Sequence, residues 1–132
     1  MKTFILLLFT LILSANHYVA VSNKSIKRIS VEKLKALYLK KSFYVHDLKI
    51  VPVNLAPKSS ARTSFEVNIL KMNFSRLKTY WMKQHYLGHR PPISLKSQKS
   101  VISFVKKVDG AIGYIEQKNI DDDLAILYEW ED

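Results

Sequence analysis

Short apolar, β-branched runs alternate along this chain with longer segments whose apolar residues recur at helical spacing. The runs predict strands, and the amphipathic segments predict helices. Pro52 lies within the second run and lacks a backbone N–H, which indicates an edge position or an irregular strand. Strands that alternate with helices favour an α/β domain whose largely parallel sheet is covered by helices. The predicted strands are 18–21, 49–55, 111–115 and 124–128.

Four helices are predicted, each preceded by a side chain that can accept a hydrogen bond from an N–H of the first turn. The second helix reaches about Leu70, and Gly88 ends the third. Apolar residues share one face of each helix, as in surface helices that pack on a sheet. The candidate capping residues are Ser30, Ser59 or Ser60, Asn73 or Ser75, and Ser97.

The N-terminus has the pattern of a secretory signal peptide. Lys2 precedes an apolar run over 4–13, and the small residues Ser14 and Ala15 follow it. A membrane-spanning helix needs about 20 apolar residues, so no stable membrane insertion is expected after cleavage. We predict cleavage after Ala15, with Ala20 as the alternative, and one exported domain over 16–132.

The composition limits the chemistry of this domain. The chain has no cysteine, which excludes disulfides, thiol catalysis and attachment of a lipid to a cysteine. Its formal charge of +10 includes Lys2, so the predicted mature chain carries +9. Such a charge attracts an oxyanion, nucleic acid or an anionic membrane surface, or it marks a Lys-rich surface without a specific ligand. Export disfavours nucleic acid as a partner.

The segment 57–65 places hydroxyls and a guanidinium around the start of the second helix. Unpaired N–H groups and the positive end of the helix dipole lie at such a start. Ser59, Ser60 and Arg62 are therefore candidate donors to a phosphate or a similar oxyanion. The alternative interpretation is ordinary capping by Ser60 with a solvated Arg62.

A second loop is a candidate part of the same site. Ser22 and Asn23 follow the first predicted strand. Ligands of α/β domains usually lie beyond the carboxyl ends of strands. If the first two strands are neighbours, Ser22 is expected to join Ser59, Ser60 and Arg62 in one crevice.

Catalytic and metal-binding patterns are weak. The chain has no Gly-x-Ser-x-Gly motif and no Gly-rich phosphate loop, so we predict no enzymatic activity. His85 and His89 are four residues apart, but Gly88 lies between them and no third ligand accompanies them. His46-Asp47 and the acidic residues 121–123 are interpreted as turns. No metal and no cofactor is predicted.

Several motifs together resemble the periplasmic phosphate-binding proteins of ABC transporters, especially their short, single-lobe relatives. The resemblance covers about 18–115 and includes the capped helix over 29–41, Ser59-x-x-Arg62-x-x-Phe65, Tyr80-Trp81, Pro91-Pro92 and the segment 110–114. It implies one lobe of a type II periplasmic-binding-protein fold. It also implies a periplasmic substrate-binding module for phosphate or a similar oxyanion, serving uptake or sensing.

The chain departs from that family where the phosphate would bind. The family's Ser-Gly-Thr is replaced by Ser59-Ser60-Ala61, so one hydroxyl is missing and the backbone is less free to approach a ligand. A single lobe also leaves its ligand exposed to water, unless dimerisation or a partner supplies the second lobe. The alternative function is an interaction module without a small ligand, which docks on an envelope or sensor protein.

Overall fold

The computed structural model describes residues 15–132, so the predicted signal peptide lies outside the described residues except for Ala15. Seven strands and four α-helices follow one another, and a π-helical segment over Glu66–Leu70 continues the second helix. In chain order they are β1 (His17–Asn23), α1 (Val31–Tyr38), β2 (Tyr44–Val45), β3 (Leu48–Lys49), β4 (Val51–Leu55), α2 (Ser60–Phe65), α3 (Phe74–Tyr86), β5 (Ile93–Leu95), α4 (Gln98–Lys107), β6 (Ala111–Glu116) and β7 (Leu124–Glu131).

The main sheet has the strand order β5-β4-β6-β1-β7, and β2 pairs with β3 in a separate hairpin. β4 is parallel to both β5 and β6. β1 is antiparallel to both of its neighbours, β6 and β7. Four of the five strands therefore run in one direction, which confirms the predicted α/β architecture, and β1 alone is reversed.

Pro52 lies inside the sheet, so an edge position is wrong, and the alternative of an irregular strand fits: β4 pairs with β6 only up to Pro52 and with β5 only from Val53. β4 has β5 on one side and β6 on the other. The N–H of Val51 donates to Gly110 O at 2.9 Å, toward β6. Because consecutive backbone groups alternate in direction, the nitrogen of Pro52 faces β5, where pairing begins only at Val53 with Ile93. The N–H that proline lacks would have had no partner on β5 at this position, so proline is tolerated.

The two faces of the sheet are covered by different helices. On one face, a Cβ added to Gly113 would overlap the side chain of Val101, so glycine allows α4 to pack closely on β6. On the other face, Phe65 of α2 stacks on Tyr114 of β6 with ring centroids 4.2 Å apart. Tyr38 of α1 packs against both rings. The core lies on both sides of β6.

Two buried tyrosines replace missing sheet hydrogen bonds between β4 and β6, whose direct pairing stops at Pro52 and Ile112. The Tyr38 hydroxyl donates to Val53 O at 2.8 Å. The Tyr114 hydroxyl accepts from the N–H of Leu55 at 3.2 Å and donates to Asn54 Oδ1 at 2.9 Å. Backbone groups that would otherwise be buried and unpaired are thereby satisfied.

The predicted helix starts are confirmed, because each capping side chain accepts from an N–H three residues later. These caps are Ser30, Ser59, Asn73 and Ser97. β7 extends to Glu131, beyond its predicted end at Tyr128, and the short β5 was not predicted. Among residues 15–132, no helix has both the length and the apolar character needed to cross a membrane.

Candidate functional site

The predicted site lies at the carboxyl end of β4, where α2 begins. Ser59 is the N-cap of α2, and its Oγ accepts from the N–H of Arg62 at 3.2 Å. The N–H groups of Ser60 and Ala61 donate no hydrogen bond to another residue within 15–132. Ser60 itself is exposed. The start of α2 therefore offers two amides and one accessible hydroxyl to an anion.

Arg62 folds back from α2 to the carboxyl end of β4. Its Nη1 donates to Leu55 O at 2.9 Å and to Ser94 Oγ of β5 at 3.1 Å. Its Nε is buried and has no hydrogen-bond partner among the described residues. Since both bonds of the guanidinium use Nη1, three of its five N–H groups have no partner within 15–132. The predicted solvated Arg62 of the capping interpretation is wrong: its side chain is only 19% exposed.

Glu66 lies one helical turn after Arg62 and faces the same side. Its Oε1 is 3.6 Å from Arg62 Nε, too far for a good hydrogen bond but close enough for attraction between the charges. Burial raises the pKa of the Glu66 carboxyl, and the neighbouring Arg62 lowers it in part. The pair is thus desolvated without being fully compensated.

The opposite side of the same helix is fully engaged with the sheet. Ser64 Oγ accepts from Trp130 Nε1 at 3.0 Å and from Asn68 Nδ2 at 3.2 Å. Trp130 stacks on Tyr18 at 5.4 Å. Burial raises the pKa of the Tyr18 phenol, Asp132 and Glu116 raise it further, and the hydroxyls of Ser64 and Ser60 lower it. Ser60 precedes Ser64 by four residues and therefore lies on this side of the helix.

The structure thus separates two of the predicted donors. Ser60 and Arg62 are two residues apart in a helix, which turns their side chains about 200° from each other. Ser60 lies on the helix side that carries Ser64, whereas the guanidinium lies against β4 and β5. The backbone at the helix start and the guanidinium remain the two sources of hydrogen bonds for an anion at this edge.

Ser22 does not lie near Ser59, and the predicted convergence of the two loops is wrong. β6 separates β1 from β4, and β1 runs in the opposite direction, so the carboxyl ends of β1 and β4 lie at opposite ends of the sheet. Ser22 is fully buried, and its Oγ donates to Asn23 O at 2.7 Å. A buried hydroxyl that satisfies its own loop is not accessible to a ligand there.

A cleft of about 280 Å³ opens beside Arg62, between α2, α3 and the β4–β5 edge; we call it the Arg62 cleft. Polar groups of Asn54, Arg62 and Glu66 face it, and Lys78 lies on the α3 side. Apolar side chains supply the rest of the wall. The lining residues are Tyr38, Asn54, Arg62, Glu66, Leu70, Phe74, Leu77, Lys78, Trp81 and Pro92.

Sequence reasoning missed the partners of Arg62. The four-residue spacing of Arg62 and Glu66 was readable as a helical ion pair. Ser94 was not, because β5 follows Pro91-Pro92 and has only three residues. Trp81 packs against the hydrophobic core and, being only partly buried, also lines the Arg62 cleft.

The other titratable groups show no metal site within the part of the chain that the structure describes. No group of three or more His, Cys, Asp or Glu residues is placed there to hold a metal ion. His89 Nδ1 lies 2.9 Å from Gln84 Oε1. His46 lies in the turn between β2 and β3, as predicted, with a φ of 52°. Asp121 and Asp123 both pair with Lys106.

Comparison with known proteins identifies the fold. No protein-family model matches the chain, and no curated protein matches it in sequence. Three crystal structures each match 86% of it. They are an ABC-type phosphate transport receptor from Vibrio cholerae (TM-score 0.69, 16% identity, 46% of that chain), a phosphate ABC transporter substrate-binding protein with bound phosphate from Clostridium perfringens (0.68, 18%, 45%) and PstS from Borrelia burgdorferi (0.62, 17%, 47%).

This likeness confirms the fold that the motif resemblance implied. The chain has the fold of about half of a phosphate-binding protein, and it spans about half the length of the structures it matches. At 16–18% identity the likeness identifies the architecture and not the ligand.

Proposed function

We propose that this chain is an exported, non-enzymatic binding module that recognises phosphate or a similar oxyanion where β4 ends and α2 begins. Arg62 supplies the charged donor. The N–H groups of Ser60 and Ala61 and the hydroxyls of Ser59 and Ser60 supply the neutral donors. The setting is the periplasm, reached through the predicted signal peptide, and the role is uptake or sensing.

The observation that carries this proposal is the state of Arg62. Its guanidinium is mostly buried at the carboxyl end of a parallel strand, yet three of its N–H groups make no hydrogen bond within 15–132, and Glu66 Oε1 stays 3.6 Å from Nε. Glu66 offsets part of the charge, but buried donors without a hydrogen bond are costly, and an oxyanion would complete them. The fold supports the same location, since ligands of α/β sheets bind beyond the carboxyl ends of the strands.

Weak binding is expected from this site. Ala61 provides no hydroxyl at the helix start. The described residues correspond to about half of a two-lobed binding protein. A ligand held by one lobe stays partly hydrated, and each charged hydrogen bond then contributes less. Dimerisation or a partner protein would strengthen binding by covering the ligand.

Calorimetric titration of the purified full chain with inorganic phosphate at low salt tests the proposal. We expect saturable heat, and a loss of affinity of roughly tenfold or more in Arg62→Ala, since a hydrogen bond to a charged group contributes about 1.5–3 kcal/mol. Arg62→Lys retains the charge and is expected to recover part of the affinity. Lys99→Ala on α4 removes the same charge from an exposed position and is the matched control.

Thermal unfolding of each variant separates lost binding from lost structure. Saturable binding with equal affinity in wild type, Arg62→Ala and Lys99→Ala would contradict the assigned site. The absence of any saturable binding would contradict the function.

The alternative, an interaction module for an acidic envelope or sensor protein, is favoured by a different observation. Residues 67–108 contain nine Lys and Arg residues and no Asp or Glu. Met82, Tyr86 and Leu87 are exposed within this stretch. Retention of an envelope protein on the immobilised chain, lost at high salt and unchanged in Arg62→Ala, would favour this alternative over anion binding.

A further inference from the structure

The Arg62 cleft presents more apolar surface than a bare oxyanion can use. Leu70, Phe74, Leu77, Trp81 and Pro92 all line it. Inorganic phosphate has no apolar surface, so covering these side chains gives it no hydrophobic binding free energy. Small-molecule sites typically combine such apolar walls with a few polar groups that fix the orientation of the ligand.

The charges in the cleft favour an anionic end group. Arg62 and Lys78 contribute two positive charges, against one carboxylate at Glu66. Glu66 lies beside Arg62 Nε, whereas no hydrogen bond within 15–132 uses Arg62 Nη2. The amide oxygen of Asn54 is already bound by the Tyr114 hydroxyl. The guanidinium is therefore the main group left for the end of a ligand.

Two aromatic side chains of α3, Phe74 and Trp81, line the cleft. Trp81 is partly buried, and Tyr80 holds it edge to face with centroids 5.0 Å apart. Phe74 is 75% exposed at the mouth of the cleft. A flat or apolar group that extends from an Arg62-bound anion would pack between these rings.

We propose that the Arg62 cleft takes an anion that carries an apolar or aromatic group, such as an aryl phosphomonoester, in preference to inorganic phosphate. This inference rests on the proposed function, because it uses the same guanidinium. It adds the ligand class, which the helix start and Arg62 alone do not specify.

The test compares inorganic phosphate, phenyl phosphate and phenol by calorimetry, with tryptophan fluorescence as a second readout at Trp81. Phenyl phosphate is expected to bind about tenfold more tightly than phosphate, since partial burial of one ring provides roughly that factor. Phenol, which lacks the anion, is expected to bind far more weakly than either.

Two exposed side chains of α3 provide a matched pair of variants that leave the core intact. Phe74→Ala is expected to weaken phenyl phosphate several-fold and to leave phosphate unchanged. Met82 is 59% exposed and does not line the cleft, so Met82→Ala is expected to change neither affinity.

The outcomes distinguish this inference from the function on which it rests. Arg62-dependent phosphate binding with equal or weaker binding of phenyl phosphate would overturn the inference and leave the function standing. Tighter phenyl phosphate binding that Phe74→Ala does not alter would also overturn it, because the ring would then lie outside the cleft. Binding of neither anion would overturn both.

Discussion

The two sides of the helix that begins at Ser60 use their polar groups in opposite ways. On the core side, formed by Ser64, Phe65 and Trp130, the serine hydroxyl accepts hydrogen bonds from Trp130 and Asn68. On the cleft side, Arg62 Nε is buried without a hydrogen bond within 15–132, and burial raises the pKa of Glu66. The core side stabilises the fold, whereas the cleft side leaves charge that a ligand could compensate.

Tyr38 and Tyr114 lie close to Arg62, but their hydroxyls are hydrogen-bonded, whereas the guanidinium is only partly so. Burial raises the pKa of Tyr38 and of Tyr114, so both phenols stay neutral at physiological pH. Their hydroxyls find partners on β4. Neutral groups that are fully paired explain stability, and a partly paired charged group is the better candidate for binding.

The largest expected effect comes from breaking the core side. Phe65 is fully buried and stacks on Tyr114, and its ring centroid lies 4.5 Å from that of Tyr38. Phe65→Ala is expected to lower the free energy of unfolding by about 3–5 kcal/mol, because it removes a large ring and leaves a cavity. Urea-induced unfolding followed by circular dichroism measures this loss. A loss below about 1 kcal/mol would show that the aromatic cluster does not support the fold as described.

A smaller effect is expected on the cleft side, where a substitution is expected to increase the affinity for phosphate. Glu66→Gln removes a carboxylate beside Arg62, so we expect tighter phosphate binding, by roughly threefold to tenfold, because the phosphate no longer meets the repulsion of this carboxylate. Isothermal titration at pH 7 measures the change. Asp109→Asn, which removes an exposed carboxylate after α4, is the matched control and is expected to have little effect. Weaker binding in Glu66→Gln would instead mean that Glu66 positions the guanidinium.

Glu66→Gln is also expected to change how the stability of the protein depends on pH. The folded-state pKa of Glu66 is raised above its unfolded value, so the folded protein binds this proton more tightly. The stabilisation is fully present below the unfolded pKa and is lost as the pH rises through the folded pKa. Glu66→Gln should therefore stabilise the protein at neutral pH and remove this part of the pH dependence. Unfolding curves measured from acidic to neutral pH test the sign.

Local signals in the sequence predicted the helices well, and non-local pairing explains what they could not predict. Ser30, Ser59 and Ser97 cap their helices through contacts only three residues away. The direction of β1 depends on pairing with residues near 115 and 128, and nothing within 18–23 encodes it. For that reason the sequence alone places Ser22 at the wrong end of the sheet, beside the start of α2.

The candidate site was predicted only in part for the same reason. The helix start and Arg62 were found from one continuous segment. The partners that turn the guanidinium toward the cleft, Leu55 and Ser94, are seven and thirty-two residues away. The aromatic side chains of the cleft, Phe74 and Trp81, come from α3, a separate helix further along the chain.

The most direct test of the central claim is a titration of the ¹⁵N-labelled full chain with inorganic phosphate, followed by amide chemical shifts. We predict saturable shifts at Ser60 and Ala61 and at Arg62 Nε–H, with little change at Lys99 and its neighbours on α4. Shifts confined to exposed lysines of α3 and α4, growing without saturation, would contradict an oxyanion site at the start of α2.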